Sequence, residues 1–266
     1  MAERELSHFA GEDMSAFQNT ADRRRWAIWL NRVVYRLSRL WLLPISFLIL
    51  VYVGLPWAAP LFMEIGWTSA GKAIYLLYAS QCHQLPQRSF FLFGNQSMYS
   101  LAQVQSTWQN SSNPNILRQF IGDPATGWKV AWSDRMVFMY TTILLWGALF
   151  WLVRKRLKPL PWWGLLLFLI PMALDGFTHM ISDFTGGIGL GFRYSNAWLA
   201  TLTNDAFPVT FYSGDAFGSF NSWMRLVTGM LFGLGIVWTF YPRLHSGFTN
   251  TANKIEDKFR KAGLET

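Results

Sequence analysis

The sequence predicts an all-α, polytopic integral membrane protein: four transmembrane helices, a short helix at the outer leaflet and an amphipathic helix at the inner surface. Three observations carry this. Of the residues, 52% are hydrophobic and 17% aromatic, and only 14% are charged, against about 25% in soluble domains. Four apolar runs each supply the roughly 20 residues that cross a hydrocarbon core of about 30 Å. Lys and Arg are unevenly spread: segments 1–39, 154–158 and 242–266 hold 16 of the 23, while the longer segments 64–133 and 181–222 hold 4 and 1.

Taken in order, residues 1–22 are acidic and polar and are expected to form a disordered tail. From Asp22-Arg23-Arg24-Arg25 to Arg39, the positions Trp26, Trp29, Leu30, Val33, Val34 and Leu37 recur at helical spacing. That spacing suits a helix lying on the inner membrane surface. The first apolar run, Leu40 to Met63, is too long for a cleavable leader core and is expected to act as its own anchor. Ala70 to Gln84 reads as a short outer-leaflet or re-entrant helix, and Pro86 is expected to close it. The stretch Gln103 to Gly127, rich in Asn, Ser, Gln, Pro and Gly, reads as an exposed excursion. Met136 to Val153, Leu160 to Met180 and Trp223 to Tyr241 are the remaining spans. The 181–222 segment, with six Gly among aromatics, cannot be one regular helix and reads as a turn-rich lid. Gly229 and Gly233 form a small-xxx-small pair suited to close helix packing.

By the positive-inside rule, both termini and the Arg154–Lys158 hairpin face the cytoplasm of a cell (inner) membrane, and the two long loops lie outside. This gives a single membrane domain over 23–243, with external loops 64–133 and 181–222 and a charged cytoplasmic tail over 244–266. The net charge of +8 is then a topology signal. Anionic membrane lipid is the expected counter-charge rather than nucleic acid. One cysteine forbids an internal disulfide, so the external loops must be held by packing.

Chemistry concentrates near the outer ends of the spans. Cys82-His83-Gln84-Leu85-Pro86-Gln87-Arg88-Ser89-Phe90 places the sole cysteine beside a histidine at a helix end. Spacings of four put Asp175, His179 and Asp183 on one helical face. An ionisable group within a span is a functional candidate because leaving it unpaired costs several kcal/mol. Pairing of Asp175 with an arginine at the interface is the structural alternative. Arg88, Arg135 and Arg225 all fall near the outer face and can converge on a phosphate or carboxylate, with Ser89, Ser133, Tyr140 and Thr228 as hydroxyl donors. His83 and Asp175 are the candidate acid/base groups. Cys82, His83 and His179 are the candidate metal ligands. A Cys82-His83 nucleophile pair is poor geometry, because adjacent residues on a helix point about 100° apart, and a metal is not favoured, because zinc needs three or four ligands and this side offers at most Cys82, His83, Asp175, His179 and Asp183. The cofactor stays open.

The Cys82–Phe91 run, Arg135 to Tyr140 at the start of the second span, Pro171 with Asp175-Gly176, and Asn221, Arg225, Thr228-Gly229 and Gly233 resemble an uncharacterised family of predicted prokaryotic membrane proteins, domain of unknown function 2085. The resemblance covers roughly residues 70–240. Members typically carry cysteines where this chain has Ser133 and Met136, and glutamine at the position of His179. The resemblance implies that Cys82, His83, Pro86, Arg88, Arg135, Asp175, Asn221 and Arg225 share one outer-side site, with Asn221 added to the anion-binding set. It implies no activity.

Two functions follow as expectations: an outer-side site for an anionic small molecule or lipid headgroup, or a non-catalytic accessory subunit of a membrane complex. A metal-dependent membrane enzyme or a transporter ranks below both. A homo-oligomer or complex partners are compatible with either. The discriminating observation is whether the motif side chains line an open cavity or are fully cross-paired.

Overall fold

A computed structural model describes residues 22–265, so nearly all of the tail expected at 1–22 lies outside the described residues. The elements in order are α1 (22–39), α2 (Leu42–Glu64), α3 (Thr68–Tyr78), β1 (Ser89–Leu92), α4 (Leu101–Thr107), α5 (Pro114–Leu117), β2 (Gly122–Asp123), β3 (Gly127–Ser133), α6 (Asp134–Val153), α7 (Trp162–Gly186), α8 (Phe192–Ser195), α9 (Ala197–Leu202), α10 (Val209–Tyr212) and α11 (Phe220–Lys261). The helices α2, α6, α7 and α11 are long and apolar enough to cross a membrane. The described residues divide into two compact units, one of residues 46–242 and one of the residues that flank it on either side.

In the second of these units, α1 carries its exposed Trp26, Trp29, Leu30 and Leu37 on the stripe that the spacing predicts. Trp41 stacks on Phe248 with ring centroids 5.6 Å apart, and Arg39 pairs with Glu256 at 2.7 Å. Both Arg39 and Glu256 are substantially exposed, so that pair adds at most about 1 kcal/mol.

Residues 46–242 hold the spans and the large loops. The helix expected from Ala70 to Gln84 is shorter, Thr68–Tyr78. Pro86 opens a 3-10 turn, Pro86–Arg88, where its missing amide costs nothing. The first long loop is not merely an excursion: it contains a three-stranded antiparallel sheet in the order β1-β3-β2. A tight turn joins β2 to β3, with Asp123 Oδ1 accepting from the amides of Ala125 and Thr126, both at 2.8 Å. Gly127 follows at φ +72°, and a Cβ there would lie 2.1 Å from the carbonyl oxygen of Leu92. Only glycine fits that crossing of strands.

The strand β3 leads directly into α6. Its fully buried Trp132 meets Tyr52 and Tyr78 edge-on, both at 5.1 Å, and stacks on Tyr140 at 5.2 Å. Each such contact contributes about 0.5–1.5 kcal/mol beyond burial, so this cluster fixes the start of α6 against α2 and α3. A separate cluster of Leu85, Phe91, Tyr99, Leu101, Val104, Leu117, Phe120 and Ile188 holds the loop together, as the lack of disulfides requires. The 181–222 segment is turn-rich as expected, broken into α8, α9 and α10.

Close packing of α11 follows from its glycines. A Cβ on Gly229 would approach the amide nitrogen of Met139 to 3.0 Å, and one on Gly233 would lie 2.3 Å from Thr142 Oγ1. That hydroxyl also donates to the carbonyl of Gly229 at 3.0 Å. Gly233→Leu is therefore expected to lower the melting midpoint of the detergent-solubilised protein, by the ~1–3 kcal/mol typical of overpacking. An unchanged midpoint in a thermal scan would show that α6 and α11 do not pack this closely.

Candidate functional site

Six of the eight charged groups of the site lie on the 3-10 turn, α6, α7 and α11. Arg88 sits at the end of the 3-10 turn, Asp134 and Arg135 open α6, Asp175 and Asp183 lie two turns apart on α7, and Arg225 lies near the start of α11. The turn-rich segment supplies Arg193 and Asp215. Arg88 holds Asp183 with two nitrogens, at 2.9 and 3.2 Å, and Asp215 with Nε at 2.8 Å. Arg225 Nε donates to Asp134 Oδ2 at 2.7 Å. Its Nη1 donates to Asp215 Oδ1 at 3.0 Å and its Nη2 to the carbonyl of Asp215 at 2.5 Å. Arg193 donates to Asp175 Oδ1 at 2.6 Å. Four arginines and four aspartates thus balance in formal charge.

Burial disfavours charge on Arg88, yet Asp215 and Asp183 outweigh it and its pKa is raised. For Asp215, burial is likewise outweighed, here by Arg88 and Arg225, and its carboxyl is held below the usual carboxylate range. These groups stay ionised because each has an opposite charge within hydrogen-bond distance.

Arg135 is different. Its Nη1 lies 2.7 Å from Asp175 Oδ2, but neither atom has an aligned hydrogen bond. Asp175 is its sole ion-pair partner among the described residues, and its side chain is 21% exposed. Arg135 borders a cavity of about 690 Å³. Arg88, Arg225, Asp134, Asp183, Ser133, Cys82, His83 and His179 also border this cavity, and Leu85, Met136, Met180, Phe184 and Ile188 form its apolar walls.

The site residues expected from sequence divide accordingly. Arg88, Arg135 and Arg225 border one cavity, but Arg88 and Arg225 are each engaged by two carboxylates. Ser89, Tyr140 and Asn221 do not border it. Ser89 is fully buried and donates to the carbonyl of Leu85. Tyr140 belongs to the Trp132 cluster. Asn221 is structural, its amide donating to the carbonyls of Arg193 at 2.6 Å and Gly214 at 2.9 Å. Asp175 lies behind Arg135, bound by two arginines.

His83 is exposed at the rim. Cys82 Sγ accepts from the amides of Gln84 at 3.3 Å and Ser133 at 3.4 Å, tying the loop after α3 to the start of α6. His179 is buried with Nε2 unpartnered. Among the described residues no group of three or more His, Cys, Asp and Glu is placed to hold a metal. Arg193, Asp134 and Asp215 are the residues that sequence reasoning missed. Arg193 had a signal: it is the one cation between 181 and 222.

An uncharacterised protein of Methanocaldococcus jannaschii is 29% identical over 175 residues, which span 63% of this chain and 85% of that one. No solved structure matches the chain. A family match begins after the Cys82–Phe91 run, so that run lies outside it, and the matched stretch is shorter than the 70–240 over which the sequence resembles that family. It includes seven of the eight charged residues of the network, all but Arg88. Residues 124–239 match the family of predicted membrane proteins DUF2085, the same family that the motif residues resemble.

Proposed function

We propose that the cavity beside Arg135 binds an anionic group, on a small molecule or a lipid headgroup, at the outer face of a cell membrane whose cytoplasmic side receives both termini. The Lys and Arg distribution supports that orientation. The observation that carries the binding reading is the state of Arg135: a guanidinium with five donors and one ion-pair partner among the described residues, on a side chain that borders an open cavity. Arg88 and Arg225 also border the cavity but are locked to carboxylates.

The test is a thermal-shift and calorimetric titration of the purified, detergent-solubilised protein with inorganic phosphate, glycerol 3-phosphate and a short-chain anionic phospholipid. At least one probe should bind. Arg135→Met should weaken that binding about ten- to a hundredfold, as loss of charge-assisted hydrogen bonds of about 1.5–3 kcal/mol requires. Asp175 keeps Arg193, so this variant should remain folded. Binding that is absent, or indifferent to Arg135→Met, sinks the proposal. In that case the cross-paired arginines favour the second reading, an accessory subunit whose ion pairs lock the ends of α6, α7 and α11 together.

A further inference from the structure

The wall that α7 contributes to the cavity is amphipathic. Gly176, His179, Met180, Asp183 and Phe184 border the cavity and recur at spacings of three and four, so they form one stripe along the helix. One edge of the stripe is polar and the other apolar. The apolar edge continues onto the flank of Phe177, Met180, Ile181 and Phe184, all exposed, with Phe184 82% exposed. Since α7 is long and apolar enough to cross a membrane, that flank belongs against hydrocarbon, and the cavity wall is continuous with it.

The polar edge holds an unmet requirement. His179 is 5% exposed, and its Nε2 is buried with no hydrogen-bond partner. A buried polar atom in that state calls for a partner. One turn of α7, about 6 Å of rise, separates His179 from Asp175, the carboxylate on which Arg135 rests. Arg135 and His179 border the same cavity, so one oxyanion in it can accept from both. Gly176 keeps the space between them open: a Cβ there would meet only Arg135 Nη1, at 3.6 Å, and anything larger would enter the cavity.

Building on the anion-site reading, we infer that the occupant is a phosphate-bearing membrane lipid that enters sideways from the bilayer. Its phosphate accepts from Arg135 and His179, and its chains leave over Met180 and Phe184. A water-soluble anion would use the polar edge alone and leave the apolar edge without a role.

The experiment titrates the full-length protein in detergent with dihexanoyl phosphatidylglycerol, glycerol 3-phosphate and inorganic phosphate, recording the melting midpoint of every variant. The lipid should bind at least about tenfold tighter than either soluble probe. His179→Phe and Gly176→Leu should each weaken lipid binding about tenfold or more, and His179→Gln, which keeps a donor, should restore most of it. Phe184→Ser, at a position 82% exposed, should weaken the lipid and leave inorganic phosphate unchanged. Equal affinity for lipid and inorganic phosphate, with Phe184→Ser silent, overturns the lipid assignment while leaving the Arg135 site intact. Lipid binding that ignores His179→Phe and Gly176→Leu places the lipid elsewhere and overturns the inference. Binding that ignores Arg135→Met removes the anion site itself.

Discussion

Arg225→Met should yield little or no monodisperse protein in detergent. The Arg225 side chain is only 2% exposed and holds two carboxylates, Asp134 and Asp215, whose side chains are 0% and 4% exposed. Removing one member of a buried pair costs about 3–5 kcal/mol, because the other charge is left uncompensated. Here two charges lose a partner. Asp215 retains Arg88 at 2.8 Å, whereas among the described residues Asp134 retains only the amide of Arg135. A loss at the upper end of that range is comparable with the total stability of many proteins, about 5–15 kcal/mol. Arg225→Lys should not rescue it, since one ammonium cannot reproduce a fork that engages two carboxylates from different nitrogens. Size-exclusion chromatography of a fluorescent fusion reads the outcome. Wild-type yield and midpoint for Arg225→Met would mean that the network is not what joins α6, α11 and the 209–219 turns. Adding Asp134→Asn and Asp215→Asn to Arg225→Met should recover part of the loss, because buried charges rather than missing packing cause it.

The same network shows which parts of the structure were legible in the sequence. Spans announce themselves through local composition, and the apolar runs expected from Leu40, Met136, Leu160 and Trp223 each lie mostly within an apolar helix. The face of Asp175, His179 and Asp183 was legible for the same reason: helical spacing is a local property. The partners were not. Arg225 meets Asp134 across 91 residues and Arg88 meets Asp215 across 127, and no periodicity encodes a contact between a turn and a distant helix end. Converging arginines therefore read as an open clamp, when two of them are closed by aspartates that sit in unremarkable contexts. Asp134 looks like an ordinary first-turn acid, and Asp215 looks like a turn residue beside Gly214.

The small sheet was overlooked for another reason. Trp128, Val130 and Trp132 alternate along β3 after Gly127, a strand pattern in plain view. The apolar signal of the flanking spans and the polar composition upstream of Gly127 outweigh it. Cys82 illustrates a third limit. A lone cysteine beside a histidine suggests chemistry, but its sulfur accepts two main-chain amides and helps seat the start of α6.

The sheet also carries a pH dependence. Lys129 is fully buried, and its ammonium donates to the carbonyls of Gln84 at 2.8 Å and Arg118 at 3.0 Å with no carboxylate among its hydrogen-bond partners. Burial, only partly offset by Cys82 and reinforced by the charge of Arg118, pulls its pKa down from 10.5 to about 7. Between those two values the unfolded chain binds a proton that the folded chain does not, so folding stability rises with pH across this window. Below about 7 the lysine is charged in both states and the destabilisation is complete; above 10.5 it is neutral in both and the destabilisation is gone. The slope inside the window is about 1.4 kcal/mol per pH unit, or roughly 2–3 kcal/mol from pH 7 to 9. Tyr75, whose hydroxyl donates to the carbonyl of Lys129, has its pKa raised by burial above 10.0, so it acts only on the alkaline side of this range. Denaturant unfolding in detergent at pH 7, 8 and 9 should show the rise in the wild type and a flatter profile in Lys129→Met, whatever that variant's absolute stability. Parallel profiles would place the titrating group elsewhere and leave Lys129 charged throughout.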